Sequence, residues 1–192
     1  MIPLEEGLRR LHDRMAATGL PVMVGGSVAA MWWGEPRSTL DIDLVVQAGR
    51  GDAERIRRQF LPEEEFYLPP LEHLRDELAR GAEGSFNVID LATGLKADVY
   101  PAGSDPLIAY GFANAVAQQV GGSTLRLAPP TYVVAMKLRY HSLGAQDKHL
   151  RDIRSILALS PGAVDQAEVA RWARTFGAEK AWAECLAGPG RE

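Results

Sequence analysis

Apolar residues recur along this chain with two different periods, and the switch between them organises it. Leu4, Leu8, Leu11 and Met15 fall at helical spacing and predict a helix over 4–18 that Gly19 stops. Residues 22–24 are a short apolar run ending in glycines and read as a strand. A helix follows over 27–33, closed by Gly34 and Pro36, and residues 41–46 make a second strand rich in branched aliphatics. The pattern then predicts a helix over 52–60 with Asp52 as its N-cap and a solvated face carrying Arg55, Arg57 and Arg58. A short strand is expected over 66–68 and a helix over 71–80. Runs 86–91 and 96–100 flank Ala92-Thr93-Gly94-Leu95 as a hairpin, and runs 115–120 and 124–127 flank Gly121-Gly122-Ser123 as another. From Pro129 onward the period is helical throughout, over 131–142, 147–159, 165–176 and 179–186. The expected architecture is an α/β (α+β) core over 1–128, a small mixed sheet with flanking helices, and a C-terminal helical segment over 129–192 packed on it.

Composition narrows the function classes. The 192 residues are 46% hydrophobic and 24% charged, enough to bury a core and too apolar for a disordered chain. A net charge of −4 argues against a nucleic-acid binder acting over its whole surface, though a local basic patch remains open. Cys185 is the single cysteine, so no intrachain disulfide and no cysteine-rich zinc site is expected. Met1-Ile2-Pro3-Leu4-Glu5-Glu6 lacks the basic and apolar regions of a signal peptide. No apolar run approaches the roughly 18 residues of a membrane span. A cytoplasmic protein without a membrane partner is the expectation.

The chemistry concentrates near the first two strands. In a strand, residues i and i+2 share a face, so Asp41 and Asp43 converge while Ile42 and Leu44 point elsewhere. Two such carboxylates repel unless a cation lies between them or one is protonated. Mg²⁺ (or Mn²⁺) suits them, because it takes oxygen ligands and keeps positions for water and phosphate. Read plainly, Asp41 ends a strand and Asp43 pairs with an arginine such as Arg37. Gly25 and Gly26 let the backbone approach a ligand. The helix that follows offers free N–H groups to an anion, and Ser27 can cap it or bond a phosphate. A plain strand-to-helix turn with a serine cap would look the same. What points to function is the order of glycine turn, short helix and acidic strand within some twenty residues.

That order, Gly25-Gly26-Ser27 followed by Asp41-Ile42-Asp43, resembles the nucleotidyltransferase superfamily with a DNA-polymerase-β-like core. The string Arg37-Ser38-Thr39-Leu40-Asp41-Ile42-Asp43-Leu44 resembles the small bacterial minimal group, including AbiEii toxin-like members. The resemblance implies a third carboxylate on a later strand, for which Asp98 is preferred and Asp90 is the rival. It also implies that Lys137, in the helix Pro130–Leu138, reaches the nucleotide phosphates, with Asp152 orienting it or capping the next helix. Relatives commonly carry an acidic residue where Thr131 stands, so this helix is expected to begin differently here.

The implied function is transfer of an NMP from an NTP to an acceptor hydroxyl on RNA, protein or a small molecule, with release of pyrophosphate. Asp41, Asp43 and Asp98 would hold the metal, with Asp98 as general base or acting through the metal. Gly25, Gly26, Ser27, Arg37 and Lys137 would hold the nucleotide. The alternative is a catalytically inactive nucleotide-binding or toxin–antitoxin-type partner module. Glycosyltransferases also use Asp-x-Asp for metal, but they are larger and lack the preceding glycine turn. Arg139, His141, Lys148, His149, Arg151 and Arg154 form a basic stretch that could face a phosphate or solvent. Trp32 and Trp33 are expected in the core beneath the sheet, and Cys185 as inert core. Acceptor identity, base preference and oligomeric state are not encoded in any motif.

Overall fold

The computed structural model describes residues 4–39, 41–62, 64–144 and 146–187. Met1, Ile2, Pro3 and Leu40, which enter the sequence motifs above, lie outside the described residues. The chain forms two compact units, one of Met1–Val28 and Thr39–Ala128 and the other of Ala29–Ser38 and Pro129–Glu192. The second unit thus includes a segment, Ala29–Ser38, that the sequence reading places in the core.

The first unit is built on a seven-stranded mixed sheet: β1 (Val22–Val24), β2 (Asp41–Val46), β3 (Phe66–Tyr67), β4 (Phe86–Asp90), β5 (Lys96–Pro101), β6 (Val116–Val120) and β7 (Ser123–Leu127). Their order is β3-β4-β5-β2-β1-β7-β6. The two predicted hairpins are the antiparallel pairs β4–β5 and β6–β7. β1 and β2 are antiparallel, while β2–β5 and β1–β7 are parallel. Strand periodicity gives this sheet two unlike faces. On one, Ile42, Leu44, Val46, Val88, Ala97 and Val99 are buried. α1 (Leu4–Ala16) packs against β1, β4 and β7 and buries Leu8, Leu11 and Met15. On the other, Asp41, Asp43, Lys96 and Asp98 retain contact with solvent.

Local signals account for most helix limits. Asp105 accepts hydrogen bonds from the N–H groups of Leu107 (2.9 Å) and Ile108 (3.0 Å), and Pro106 opens α5 (Pro106–Ala113). The apolar pattern had left this helix unassigned. α3 (Ala53–Gln59) departs from expectation at its start. A 3₁₀ turn spans Arg50–Asp52, and the Asp52 carboxylate accepts from the N–H of Gly49 at 2.9 Å rather than capping α3. This unit also holds α4 (Leu71–Ala79), a 3₁₀ turn over Gly81–Glu83 and the first turn of α2 (Gly26–Trp33).

In the second unit α6 (Pro130–Gly144) packs against α7 (Asp147–Leu159) and α8 (Gln166–Phe176), and α9 (Glu179–Ala187) against α7 and α8. Thr131, buried where relatives were expected to carry an acid, accepts from the N–H of Asp165 at 2.9 Å through its hydroxyl. The Ser160 hydroxyl donates to the Trp33 carbonyl at 2.6 Å, and the Ser155 hydroxyl accepts from the N–H of Glu35 at 2.5 Å. These bonds tie Ala29–Ser38 to the helices of its own unit. Trp32 is 44% exposed, so the expectation that it fills the core beneath the sheet is incorrect.

Asp105→Ala should destabilise the protein by about 1 kcal/mol, the usual worth of a helix N-cap. Urea unfolding followed by circular dichroism measures it, and an unchanged midpoint would contradict the capping assignment.

Candidate functional site

The site grows from the turn between β1 and α2. Gly25 extends the strand pairing, its N–H donating to the Asp43 carbonyl at 2.9 Å. Gly26 then takes a positive φ of 51°, a conformation that side chains disfavour. A Cβ there would lie 1.8 Å from Asp43 Oδ2, so glycine is required sterically as well. At Gly25 a Cβ would meet only Val45 Cγ2 at 3.7 Å, an ordinary contact. The N–H of Ser27 donates to Asp43 Oδ2 at 3.3 Å. Asp43 is therefore seated at the N-terminus of α2, where the helix dipole favours an anion.

The parallel register of β2 and β5 supplies the rest. Asp41 stands opposite Lys96 and Asp43 opposite Asp98. Both pairs project to the same open face, joined by Asn87, which stands opposite Asp98 on β4. Asp90 lies on the buried face. It is fully enclosed, its Oδ2 paired with Arg10 Nε at 2.9 Å and its Oδ1 accepting from the N–H of Ala92 at 3.0 Å in the hairpin turn. Asp98, not Asp90, thus shares a face with Asp43.

Lys96 shares this face and is the residue there that motif reading passes over. Its Nζ lies 3.0 Å from Asp98 Oδ1. The hydrogen bond to Asp98 holds its pKa above the ordinary lysine value; partial burial opposes this, and the charges of Asp98, Asp41 and Asp43 add to it. Three carboxylates act on one ammonium. The available signal was its position two residues before Asp98, which puts both side chains on one face. Among the described residues, no group of three or more His, Cys, Asp or Glu is gathered closely enough to hold a metal ion. The donors on this face are nonetheless hard oxygens of the kind suited to Mg²⁺ or Mn²⁺, and one of them, Asp98, already pairs with the Lys96 ammonium.

Arg37 and Lys137 belong to the second unit and meet there on Asp152. Lys137 Nζ is 2.6 Å from Asp152 Oδ2, and Arg37 Nε is 3.4 Å from Asp152 Oδ1. Lys137 is 7% exposed and Asp152 9%, so this is a buried pair and not a snorkelling lysine. Burial alone would raise the Asp152 pKa. The Lys137 hydrogen bond and the charges of Lys137 and Arg37 outweigh it and hold the carboxyl below its ordinary value. His149 is pushed down to about 4, by burial first and then by the charges of Lys137 and Lys148. Its Nδ1 is buried without a hydrogen-bond partner among the described residues, and its ring stacks on Tyr140 with centroids 6.0 Å apart. Cys185 is buried and its thiol is pushed up to about 11, which makes it a poor nucleophile.

Gly26→Ala should cost about 1–3 kcal/mol from backbone strain alone, with further loss from displacement of Asp43, whereas Gly25→Ala should be tolerated. Thermal and urea unfolding of both variants tests the distinction, which equal stabilities would remove. Lys137→Met should cost about 3 kcal/mol, because it leaves the Asp152 charge buried with weaker compensation. Acid sensitivity follows from signs. The folded-state pKa of His149, about 4, lies below the ordinary 6.5, so the unfolded chain binds more protons between these values. Stability should fall as pH drops through that window, and His149→Phe should flatten the slope there. Asp152 adds a separate loss as pH falls below 3.8 through its lower folded value. Unfolding curves at stepped pH measure both.

No protein-family model matches the chain, and no curated protein matches it significantly. Solved structures do share its architecture. The solution structure of the antibiotic-resistance factor ANT(2'')-Ia aligns with a TM-score of 0.57 at 17% identity, over 95% of this chain and 97% of that one. A crystal structure of ANT(2'')-Ia in complex with adenylyl-2''-tobramycin aligns with a TM-score of 0.58 at 15% identity, over 92% and 98%. An antigenic nucleotidyltransferase-like protein from Paracoccidioides brasiliensis gives 0.54 at 14% identity, over 93% and 92%. The likeness extends over nearly the full length of each partner, and at these identities it is one of fold. This chain therefore has the mixed α/β fold seen in nucleotidyltransferases, with a seven-stranded sheet and a C-terminal helical segment.

Proposed function

We propose that the protein is a metal-dependent nucleotidyltransferase that moves an NMP from an NTP to an acceptor hydroxyl and releases pyrophosphate. The observation that carries this reading is the β2–β5 register, which sets Asp41, Asp43 and Asp98 on one open face beside the Gly26–Ser27 turn. Asp41, Asp43 and Asp98 would hold Mg²⁺ or Mn²⁺. When bound, the metal supplies Lewis-acid stabilisation of charge on the phosphates. The Gly25-Gly26-Ser27 turn would bring the N-terminus of α2 to a phosphate, with the Ser27 N–H passing from Asp43 Oδ2 to the phosphate and the Gly25 N–H staying on the Asp43 carbonyl. Asp98 accepts the proton of the acceptor hydroxyl as its oxygen attacks the α-phosphorus and the bond to pyrophosphate breaks. Positioning and electrostatics supply most of the rate. A phosphate-binding role for Arg37 and Lys137 rests on the family resemblance of their motifs; with Asp152 they form a trio of net charge +1.

Among acceptors, a small polyhydroxylated molecule is favoured over RNA. A net charge of −4 suits a small or cationic acceptor better than a polyanion, and ANT(2'')-Ia has been crystallised with an adenylylated tobramycin. Among the described residues no helix is long and apolar enough to cross a membrane, and we place the reaction in the cytoplasm, where NTPs are plentiful. A second reading, an inactive nucleotide-binding or toxin–antitoxin-type module, draws on the Lys96–Asp98 ion pair, which engages the third carboxylate.

Calorimetry with each NTP, with and without Mg²⁺, tests the reading on the wild type and an Asp41→Asn/Asp43→Asn double variant. Metal-dependent binding that the double variant loses is the expected result. Metal-independent binding by both proteins would favour the inactive module.

A further inference from the structure

A lysine stands where a metal-binding face would be expected to carry only acids and neutral donors. Lys96 is opposite Asp41 across the parallel pair, shares its strand face with Asp98 and lies 3.0 Å from the Asp98 carboxylate. Its side chain is 38% exposed and that of Asp98 20%, so the ammonium is within reach of solvent. Asp41, Asp43 and Asp98 carry three negative charges and Lys96 returns one positive, leaving a net −2. A divalent cation approaching this face must displace the ammonium from Asp98 or bear its repulsion at short range.

We propose that Lys96 is a built-in competitor for the divalent cation. In the free protein its ammonium satisfies Asp98 and holds the affinity for metal alone low. An NTP brings phosphate charge that both the metal and the displaced ammonium can engage, so the metal enters together with the nucleotide. The inference rests on the nucleotidyltransferase reading and specifies the order in which that site fills.

The test is Mn²⁺ binding to the intact protein, read from the loss of the free Mn²⁺ electron paramagnetic resonance signal. Wild type, Lys96→Met and Lys96→Arg are compared without nucleotide and with a non-hydrolysable ATP analogue. Removing one positive charge at this distance should tighten Mn²⁺ binding to the free Lys96→Met protein on the order of tenfold. Lys96→Arg should behave as wild type, and the analogue should narrow the difference. Thermal unfolding confirms that each variant is folded. Equal or weaker Mn²⁺ binding by folded Lys96→Met, with nucleotide-dependent Mn²⁺ binding intact in the wild type, would overturn the inference alone. Absence of Mn²⁺ binding in every protein, with or without nucleotide, would overturn both the inference and the reading of the site.

Discussion

In the pairing of β2 with β5, Asp43 stands opposite Asp98 and Asp41 opposite Lys96, and a slip of one residue would undo both the core and the acidic face. Strand side chains alternate, so shifting either strand would send Ile42 and Leu44, or Ala97 and Val99, toward solvent and drive charges into the interior. Burial of those four residues therefore fixes where the charged residues sit. The energy that specifies the site comes mostly from apolar surface on the opposite face of the sheet. Parallel pairing adds a requirement of its own, because it brings together strands far apart in sequence through intervening structure.

Asp43 shows how the site is held without any bound ion. Its carboxylate is pressed against the Gly26 backbone and accepts the Ser27 N–H at the start of α2. Helix start and carboxylate satisfy each other, so neither depends on a ligand for its place. Lys96 does the same for Asp98 with a full charge. The second unit applies the same logic in a drier setting, where Asp152 compensates Lys137 and Arg37 and keeps a buried ammonium charged. In each case an ionised group has a fixed partner, as desolvation demands. The partners differ in how easily they can be displaced: an exposed lysine readily, a buried pair only at large cost.

Much of this was legible along the chain. The branched-aliphatic run 41–46 gave its strand, and runs 86–91 and 96–100 and 115–120 and 124–127 around their glycine-containing turns gave both hairpins, because turn chemistry and side-chain preference act locally. Helix ends were read to within a few residues, since caps and apolar stripes are also local. α5 escaped because its eight residues are nearly uniformly apolar and show no stripe; its Asp105-Pro106 start was the only mark. Trp32 was misplaced because an aromatic residue says nothing of which unit its helix joins. Lys96 was overlooked because a lysine beside an aspartate is unremarkable until the strand partner is known.

The sequence by itself determined the strand-turn-helix-strand order, the same-side placement of Asp41 and Asp43, and a glycine turn where β1 gives way to α2, all consequences of short-range backbone geometry. Only the tertiary structure decided that Asp98 rather than Asp90 faces Asp43, that Lys96 stands among the carboxylates, and that Lys137 pairs with Asp152. Those outcomes turn on strand register and helix packing between residues distant in the chain. Register is set by the summed burial of many apolar side chains, a quantity that no single motif carries.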